Sequence, residues 1–524
     1  MKAAVTITTD ADLRSRITAC WLGKAVGGTL GMPYEGVRHT LDLTFYDPVP
    51  QEMLPNDDLD LQVIYAFLLD RMPPEEVRVD RRELAKAWPH IGMSPDEYGI
   101  VKRNLKLGLM PPATGAYDNP FARGMGAAIR TELWACLAPG NPDLAVKYAY
   151  EDACMDHAGE GIDAALFLAA VEALAFVESD RDTLLDAGLS YIDADSELAR
   201  AIRDTRMLWE ELGDWKKVQA VLAERYLNDN FTDVVINLAC TVLGWLSGKD
   251  FGESICIAVN CGQDTDCTGA TLGALLGILN PDGIEAKWLE PIGRDLVLSP
   301  CIHGVEHPPT LGGFTDLVLD LRRRLGGSAP SSPPLEAPAE VTPRASSEPA
   351  DRSGGVSGGG DASGGFRGLA IKAGVAALDA MPDARPPEGS FTATTFPGNW
   401  VTQAVDADDP PYLAVRYAVH VDTDAKTHLM FNTPQAVKVW WGDQLVIDSA
   451  GGGFVPALHR TVPGDQNVPL GDALGDHVVT AVMARPEDGQ SRQWCVALTD
   501  DAPEEDGWAV ARNWLVDPFD RVGT

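Results

Sequence analysis

A change of period divides this sequence in two. Up to Gly326 the apolar residues recur at helical spacing, and beyond residue 367 they alternate with polar ones. Side chains repeat every 3.6 residues on a helix and every 2 on a strand, so one regular layer cannot satisfy both halves. Between them lies GSAPSSPPLEAPAEVTPRASSEPADRSGGVSGGGDASGGF, residues 327–366. Such a Pro/Ser/Ala-rich and then Gly-rich run buries too little apolar surface to offset its ordering entropy, and it reads as a flexible linker. The expected architecture is multidomain: an all-α domain over 1–326, a linker over 327–366 and an all-β sandwich over 367–524.

In the first half, DLRSRITACWLGKAVGGTLG predicts a helix over 12–31, capped by Asp12, with Ile17, Cys20, Trp21, Ala25 and Leu30 on an apolar face. Isolated glycines cost a helix about 1 kcal/mol each, so Gly23, Gly27, Gly28 and Gly31 together signal close backbone approach or a break. Glu35 follows just past the helix end. LPNDDLDLQVIYAFLLDRM opens a second helix, capped by Asn56 or Asp57. The segment ARGMGAAIR reads as a Gly-rich helix entry. There Gly124 and Gly126 expose backbone N–H groups that suit an anion, although close packing explains them equally. A long helical stretch over 142–177 is broken around Asp156-His157, and from Asp193 to Gly277 short connections join helix after helix, as in a compact helical bundle.

Beyond the linker, SFTATTFPGNWVTQAV, YLAVRYAVHVDTDAKTHLMFNT, QAVKVWWGDQLVIDSA, ALHRTVPG, DHVVTAVMARP and RQWCVALTD alternate between turn signals, the mark of an antiparallel sandwich. KVWWGDQLVID predicts a hairpin turning at Gly442-Asp443. Trp400, Trp440, Trp441, Trp494 and Trp508 either fill the core or present a face to a sugar.

The net charge of -35 argues against a nucleic-acid partner, because a duplex is held largely through Lys and Arg on its phosphates. It also concentrates cations near the surface. No stretch approaches the roughly 20 apolar residues of a spanning helix, and MKAAVTITTDADLRSRI lacks the apolar core of a signal peptide. A cytoplasmic protein with no membrane partner is expected. Nine cysteines without a CxxC pair read as reduced, mostly buried thiols.

The acidic residues are the candidate chemistry. Glu35, the Asn56-Asp57-Asp58 turn and the Asp264/Asp266 pair of CGQDTDCTGATLGALLG all fall at helix ends. Each is explained separately by helix capping and the helix dipole. Five carboxylates sharing a pocket, however, raise one another's pKa unless cations lie between them. Oxygen-only ligands favour magnesium, manganese or calcium over zinc. DTDCTG imitates an EF-hand loop, but Leu275 stands where the bidentate Glu is required.

The order GTLGMPYE, PNDDLDLQ, ARGMGAAIR, a central His and GQDTDCTGATLGALLG resembles the ADP-ribosylglycohydrolase family, over roughly residues 12 to 326. The resemblance implies an all-α domain with a binuclear magnesium (or manganese) centre. It sets Asp57, Asp58, Asp264 and Asp266 as metal ligands, with Asn56 in place of the family's threonine. Glu35 is set close to the metals and the scissile bond. Catalytic roles are expected for Glu35, Asp57 and Asp264, and substrate contacts for Asn119, Gly124, Gly126, His157 and Gly262. Two departures stand out. Gly27-Gly28 replaces a common GD pair, and Cys267 replaces the hydroxyl residue after the second aspartate. Since sulfur is a poor magnesium ligand, Thr268 or water is expected as the remaining ligand.

The implied reaction is hydrolysis at the anomeric carbon of a ribose-like sugar, in an ADP-ribosyl conjugate or a small glycoside. Glycan hydrolysis on the same fold, which the tryptophans of the sandwich keep open, and non-catalytic binding of ADP-ribose or a sugar are the alternatives.

Overall fold

Thr9, rather than the expected Asp12, caps the first helix. Its hydroxyl accepts the Asp12 N–H at 3.1 Å, and the helix runs Asp10–Gly31. Along it Gly23, Gly27 and Gly31 face Gly273, Gly269 and Thr265 of helix Thr265–Leu279. A Cβ on Gly23 would lie 2.0 Å from the Gly273 carbonyl oxygen, and one on Gly31 2.2 Å from that of Thr265. The glycines therefore mark close approach and not a break: two backbones touch over about two turns. The Thr265 hydroxyl locks the top of the pair by donating to the Gly31 carbonyl at 2.8 Å.

Those residues belong to a computed structural model that describes residues 9–326, 369–406, 408–423, 426–454, 466–471, 473–487, 489–500, 513–515 and 518–522. The linker expected over 327–366, the strand expected in ALHRTVPG and Trp508 lie outside them. Around the touching pair the helical unit adds, among others, the buried helices Glu160–Ala175 and Val234–Ser247, whose apolar residues run all the way round. The long 142–177 stretch breaks as expected, into Pro142–Ala153 and Glu160–Ala175. ARGMGAAIR differs from its expectation. It leads only into a 3₁₀ turn, Ala128–Arg130, and the short helix Glu132–Leu137. The Gly124 N–H is already bonded to Phe121, and the Gly126 carbonyl to Arg130.

Among the described residues the second unit has eleven strands: β1 Ile371–Leu378, β2 Thr392–Phe396, β3 Trp400–Gln403, β4 Tyr412–Val421, β5 Thr427–Asn432, β6 Val437–Trp441, β7 Gln444–Ser449, β8 Asn467–Gly471, β9 Gly475–Ala484, β10 Arg492–Asp500 and β11 Asn513–Trp514. They form two antiparallel sheets, β2-β1-β4-β9-β6-β7 and β11-β10-β5-β8, with β3 also paired to β10. Val415, Tyr417 and Val439 of one sheet share a core with Leu429, Phe431 and Val496 of the other. The hairpin turns where predicted, Trp441 opposite Gln444, with Gly442 at φ 58°. Trp440 and Trp494 are buried in the sandwich, whereas Trp400 and Trp441 are only partly covered.

Composition alone does not reveal one feature of this unit. Residues 93–109 and 117–120, embedded in the helical half of the sequence, group with the sandwich. Arg103 of helix Asp96–Lys106 donates to Asn399 at 3.2 Å and pairs with Asp118 at 3.0 Å. The Asp118 carboxylate in turn accepts the backbone N–H groups of Asn399 and Trp400 at the head of β3. None of the nine cysteines forms a disulfide and eight are buried, as expected of small apolar side chains. Among the described residues no helix is long and apolar enough to cross a membrane.

Candidate metal centre

Three backbone devices bring the acidic residues together. Asn56 caps helix Asp57–Asp70, its side-chain oxygen accepting the Asp58 N–H at 2.7 Å. Asp57 and Asp58 are thereby released from capping. The chain entering helix Thr265–Leu279 passes through Gly262 and Gln263, both at positive φ (76° and 73°). Such a conformation at a non-glycine residue is uncommon and clusters at functional sites. It is fixed by a two-way backbone exchange: Gln263 N–H donates to Val37 and Gly36 N–H to the Gln263 carbonyl, at 2.7 and 2.9 Å. This clamp draws Glu35, next to Gly36, over the start of the helix. Asp264 then stands at the N-cap position without making a capping bond, its own N–H held by the Asn237 side chain at 3.0 Å. Capping thus accounts for Asn56 but not for Asp58, Asp264 or Asp266.

Two triads result. Carboxylate oxygens of Glu35, Asp264 and Asp266 lie within 4.8 Å of one another, and so do ligand atoms of Asp58, Asp266 and Cys267. Asp266 belongs to both. Asp58, Asp264 and Asp266 form a buried floor, and Glu35 and Asp57 are half-buried above it. Asp57 falls in neither triad, although its charge acts on Asp58, Asp264 and Asp266. The Thr268 hydroxyl, expected as a ligand, donates its proton to the Thr265 carbonyl at 3.1 Å. The sulfur of Cys267 takes the place beside the aspartates. The Gly27-Gly28 departure also has a steric reason. A Cβ at Gly28 would lie 2.6 Å from the Asn56 amide nitrogen, and one at Gly27 1.9 Å from the Gly269 carbonyl oxygen.

The electrostatics suit a cation. Burial first, and then Glu35 and the neighbouring aspartates, push the Asp264 and Asp266 carboxyls well above the ordinary range. Burial raises Asp58 to about 7 despite Lys24. One oxygen each of Asp58 and Asp266, Oδ2 and Oδ1, is buried without a hydrogen-bond partner. A buried acceptor left unmatched costs about 1–3 kcal/mol, more when charged, so these atoms fit a divalent cation.

Beneath the floor is a buried network that the sequence reading missed. Lys24 Nζ lies 3.3 Å from Asp58 and 2.8 Å from Glu132, every side chain at 1% exposure or less. Gln62 donates to both the Asp58 carbonyl and Glu132. Deeper still, burial and then Glu132 raise the Glu172 carboxyl well above its usual range. The available signal was a lone charge in an otherwise apolar, Gly-rich helix, CWLGKAVGGTLG. Such a residue is almost never fully buried unless paired.

The remaining expected contacts are placed as follows. His157 is buried, with Nδ1 2.8 Å from Asp156. Arg130, held between Asp152 and Asp156, anchors that pair. Burial opposes ionisation of Asp156, but Arg130 and His157 overcome it and draw the carboxyl to about 2. Gly124 and Gly126 are buried. Gly262 lies in the clamp, where a Cβ would come within 2.7 Å of the Val37 and His39 carbonyl oxygens. Asn119 belongs to the β unit, in the segment Tyr117–Pro120.

A family model described as ADP-ribosylglycohydrolase matches residues 9–310. An uncharacterized protein of Archaeoglobus fulgidus is 28% identical over 293 residues, covering 53% of this chain and 92% of its own length. Among solved structures, an ADP-ribosylglycohydrolase-related protein complex aligns with 60% of this chain and 99% of its own, at 22% identity and a TM-score of 0.41.

Proposed function

The chain belongs to the ADP-ribosylglycohydrolase family, and from that premise we propose that its helical unit is a metal-dependent glycohydrolase. Its reaction would cleave an N- or O-glycosidic bond at the anomeric carbon of a ribose-like sugar, in an ADP-ribosyl conjugate or related small glycoside. The observation that carries this reading is the pair of triads sharing Asp266, with buried carboxylate oxygens left unmatched.

Asp58, Asp264 and Asp266, with Asp57 beside them, would hold two divalent cations. Oxygen ligands of this kind suit magnesium, with manganese as the close alternative. Bound there, the cations would orient the sugar through its hydroxyls and, as Lewis acids, offset negative charge developing on oxygen as the bond breaks. Glu35, half-buried and grouped with Asp264 and Asp266, holds the attacking water and takes its proton. The same carboxyl returns a proton to the leaving group. General acid–base catalysis of this kind contributes about 10²–10⁴-fold. Lys24 anchors Asp58 from behind, and Asn56 holds Asp266 from the side at 3.5 Å.

The test is turnover of ADP-ribosyl-arginine and of a panel of pentosides and hexosides, with and without EDTA. Activity should vanish with EDTA, return with magnesium, fall about 10²–10⁴-fold in Glu35→Gln and be lost in Asp264→Ala. Wild-type activity in Asp57→Ala and Asp264→Ala would end the metal reading. Saturable binding of ADP-ribose without turnover of any substrate would leave a sugar-binding protein in its place.

A further inference from the structure

The two triads differ in chemistry. Glu35, Asp264 and Asp266 offer only oxygen, whereas the second triad adds the sulfur of Cys267 to Asp58 and Asp266. Each member of the second triad is buried: Asp58 is 1% exposed, Asp266 3% and Cys267 7%. Asp58 has one oxygen on Lys24 and the other unmatched. Asp266 has one facing the Asn56 amide and the other unmatched. The two aspartates grouped with the sulfur therefore each carry a buried, unmatched acceptor, and the group calls for a positive centre.

We infer that Cys267 is a metal ligand, and that the Asp58/Asp266/Cys267 position takes a thiophilic divalent cation of the zinc, iron(II) or cobalt(II) class in preference to magnesium. This rests on the proposed metal centre and deepens it, since the pair of ions becomes unlike: a hard ion on the oxygen triad and a softer one on the sulfur triad, bridged by Asp266. Sulfur selects borderline and soft metals, while carboxylates alone suit magnesium and manganese. Three side chains from the protein also leave a coordination position open, as catalytic zinc sites do. On binding, the Cys267 S–H bond is exchanged for a sulfur–metal bond and the proton leaves to solvent. No oxidation state changes.

The experiment uses the full chain, stripped with EDTA and titrated with cobalt(II), with binding followed by calorimetry and absorption together. The expected result is an intense near-ultraviolet sulfur-to-cobalt charge-transfer band that saturates at one equivalent. Cys267→Ser should lose the band and weaken zinc and cobalt binding by about 10–100-fold or more, while keeping its thermal stabilisation by magnesium. Cys301→Ser, at the one cysteine that is not buried, should keep the band. Zinc-edge X-ray absorption of the unmutated protein adds a measurement that needs no variant to fold, with one sulfur expected at about 2.3 Å. Cobalt bound without the band, a band that persists in Cys267→Ser, or an oxygen/nitrogen-only zinc shell overturns the sulfur ligand and leaves the proposed centre standing. Failure of every divalent cation to bind overturns both.

Discussion

Gly27 and Gly269 meet backbone to backbone, so closely that a Cβ on Gly27 would stand 1.9 Å from the Gly269 carbonyl oxygen. This contact seats the start of helix Thr265–Leu279, and with it Asp264 and Asp266, beside the segment that carries Glu35. Overpacking normally costs about 1–3 kcal/mol, and here the obstacle is backbone that cannot swing aside. Gly27→Ala is expected to destabilise the protein by about 3 kcal/mol or more, measured by denaturant unfolding. Gly312→Ala is the control. Its Cβ would meet nothing closer than 3.9 Å, so it should stabilise by about 0.4–1 kcal/mol. Equal effects at the two positions would refute the tight-contact account.

Lys24 is the cation of a buried group containing Asp58 and Glu132. Breaking a buried pair from one side typically costs about 3–5 kcal/mol, because the other charge is stranded. Lys24→Met should show a loss of that size near pH 8. The loss should shrink near pH 5, where stranded carboxyls take up protons. Adding Glu132→Gln to Lys24→Met should recover part of it, and a double-mutant cycle measures the coupling.

The metal-free protein should lose stability as pH rises from about 4 to about 7. Asp58 and Asp60 have ordinary values of 3.8 in the unfolded chain and about 7 in the folded protein, and Asp264 and Asp266 are raised as well. Through that window the folded state binds more protons than the unfolded one, so unfolding becomes easier as pH increases. Below it both states are protonated and the penalty disappears. Asp156, drawn to about 2, acts in the opposite sense but only at more acidic pH. Divalent cations bind the deprotonated carboxylates, so the gain in melting temperature on adding magnesium should grow across the same window. A metal-induced shift that is independent of pH would contradict this.

In the β unit, Asp118→Ala removes the acceptor of two backbone N–H groups and strands Arg103, whose side chain is 3% exposed. A cost of about 3–5 kcal/mol is expected. Amide exchange at Asn399 and Trp400 should become fast, which mass spectrometry of the exchanged protein reads directly. Protection unchanged at these amides would show that the carboxylate does not hold the head of β3.

By itself the sequence determined the division into a helical and a β half, the hairpin at Gly442-Asp443 and the approximate edges of the longer helices, because these follow from local periodicity and turn chemistry. It also marked Glu35, Asp58, Asp264 and Asp266, since carboxylates at helix ends are visible in one dimension. Tertiary structure decided what could not be read along the chain. The glycines of two helices 240 residues apart became one contact because each side depends on the other being bare. Residues 93–109 joined the sandwich through Arg103 and Asp118, whose partners lie across the linker in sequence. The grouping of the Cys267 sulfur with Asp58 and Asp266 also needed three dimensions. Adjacent residues on a helix point about 100° apart, and only the packed structure places that sulfur with two carboxylates from different helices.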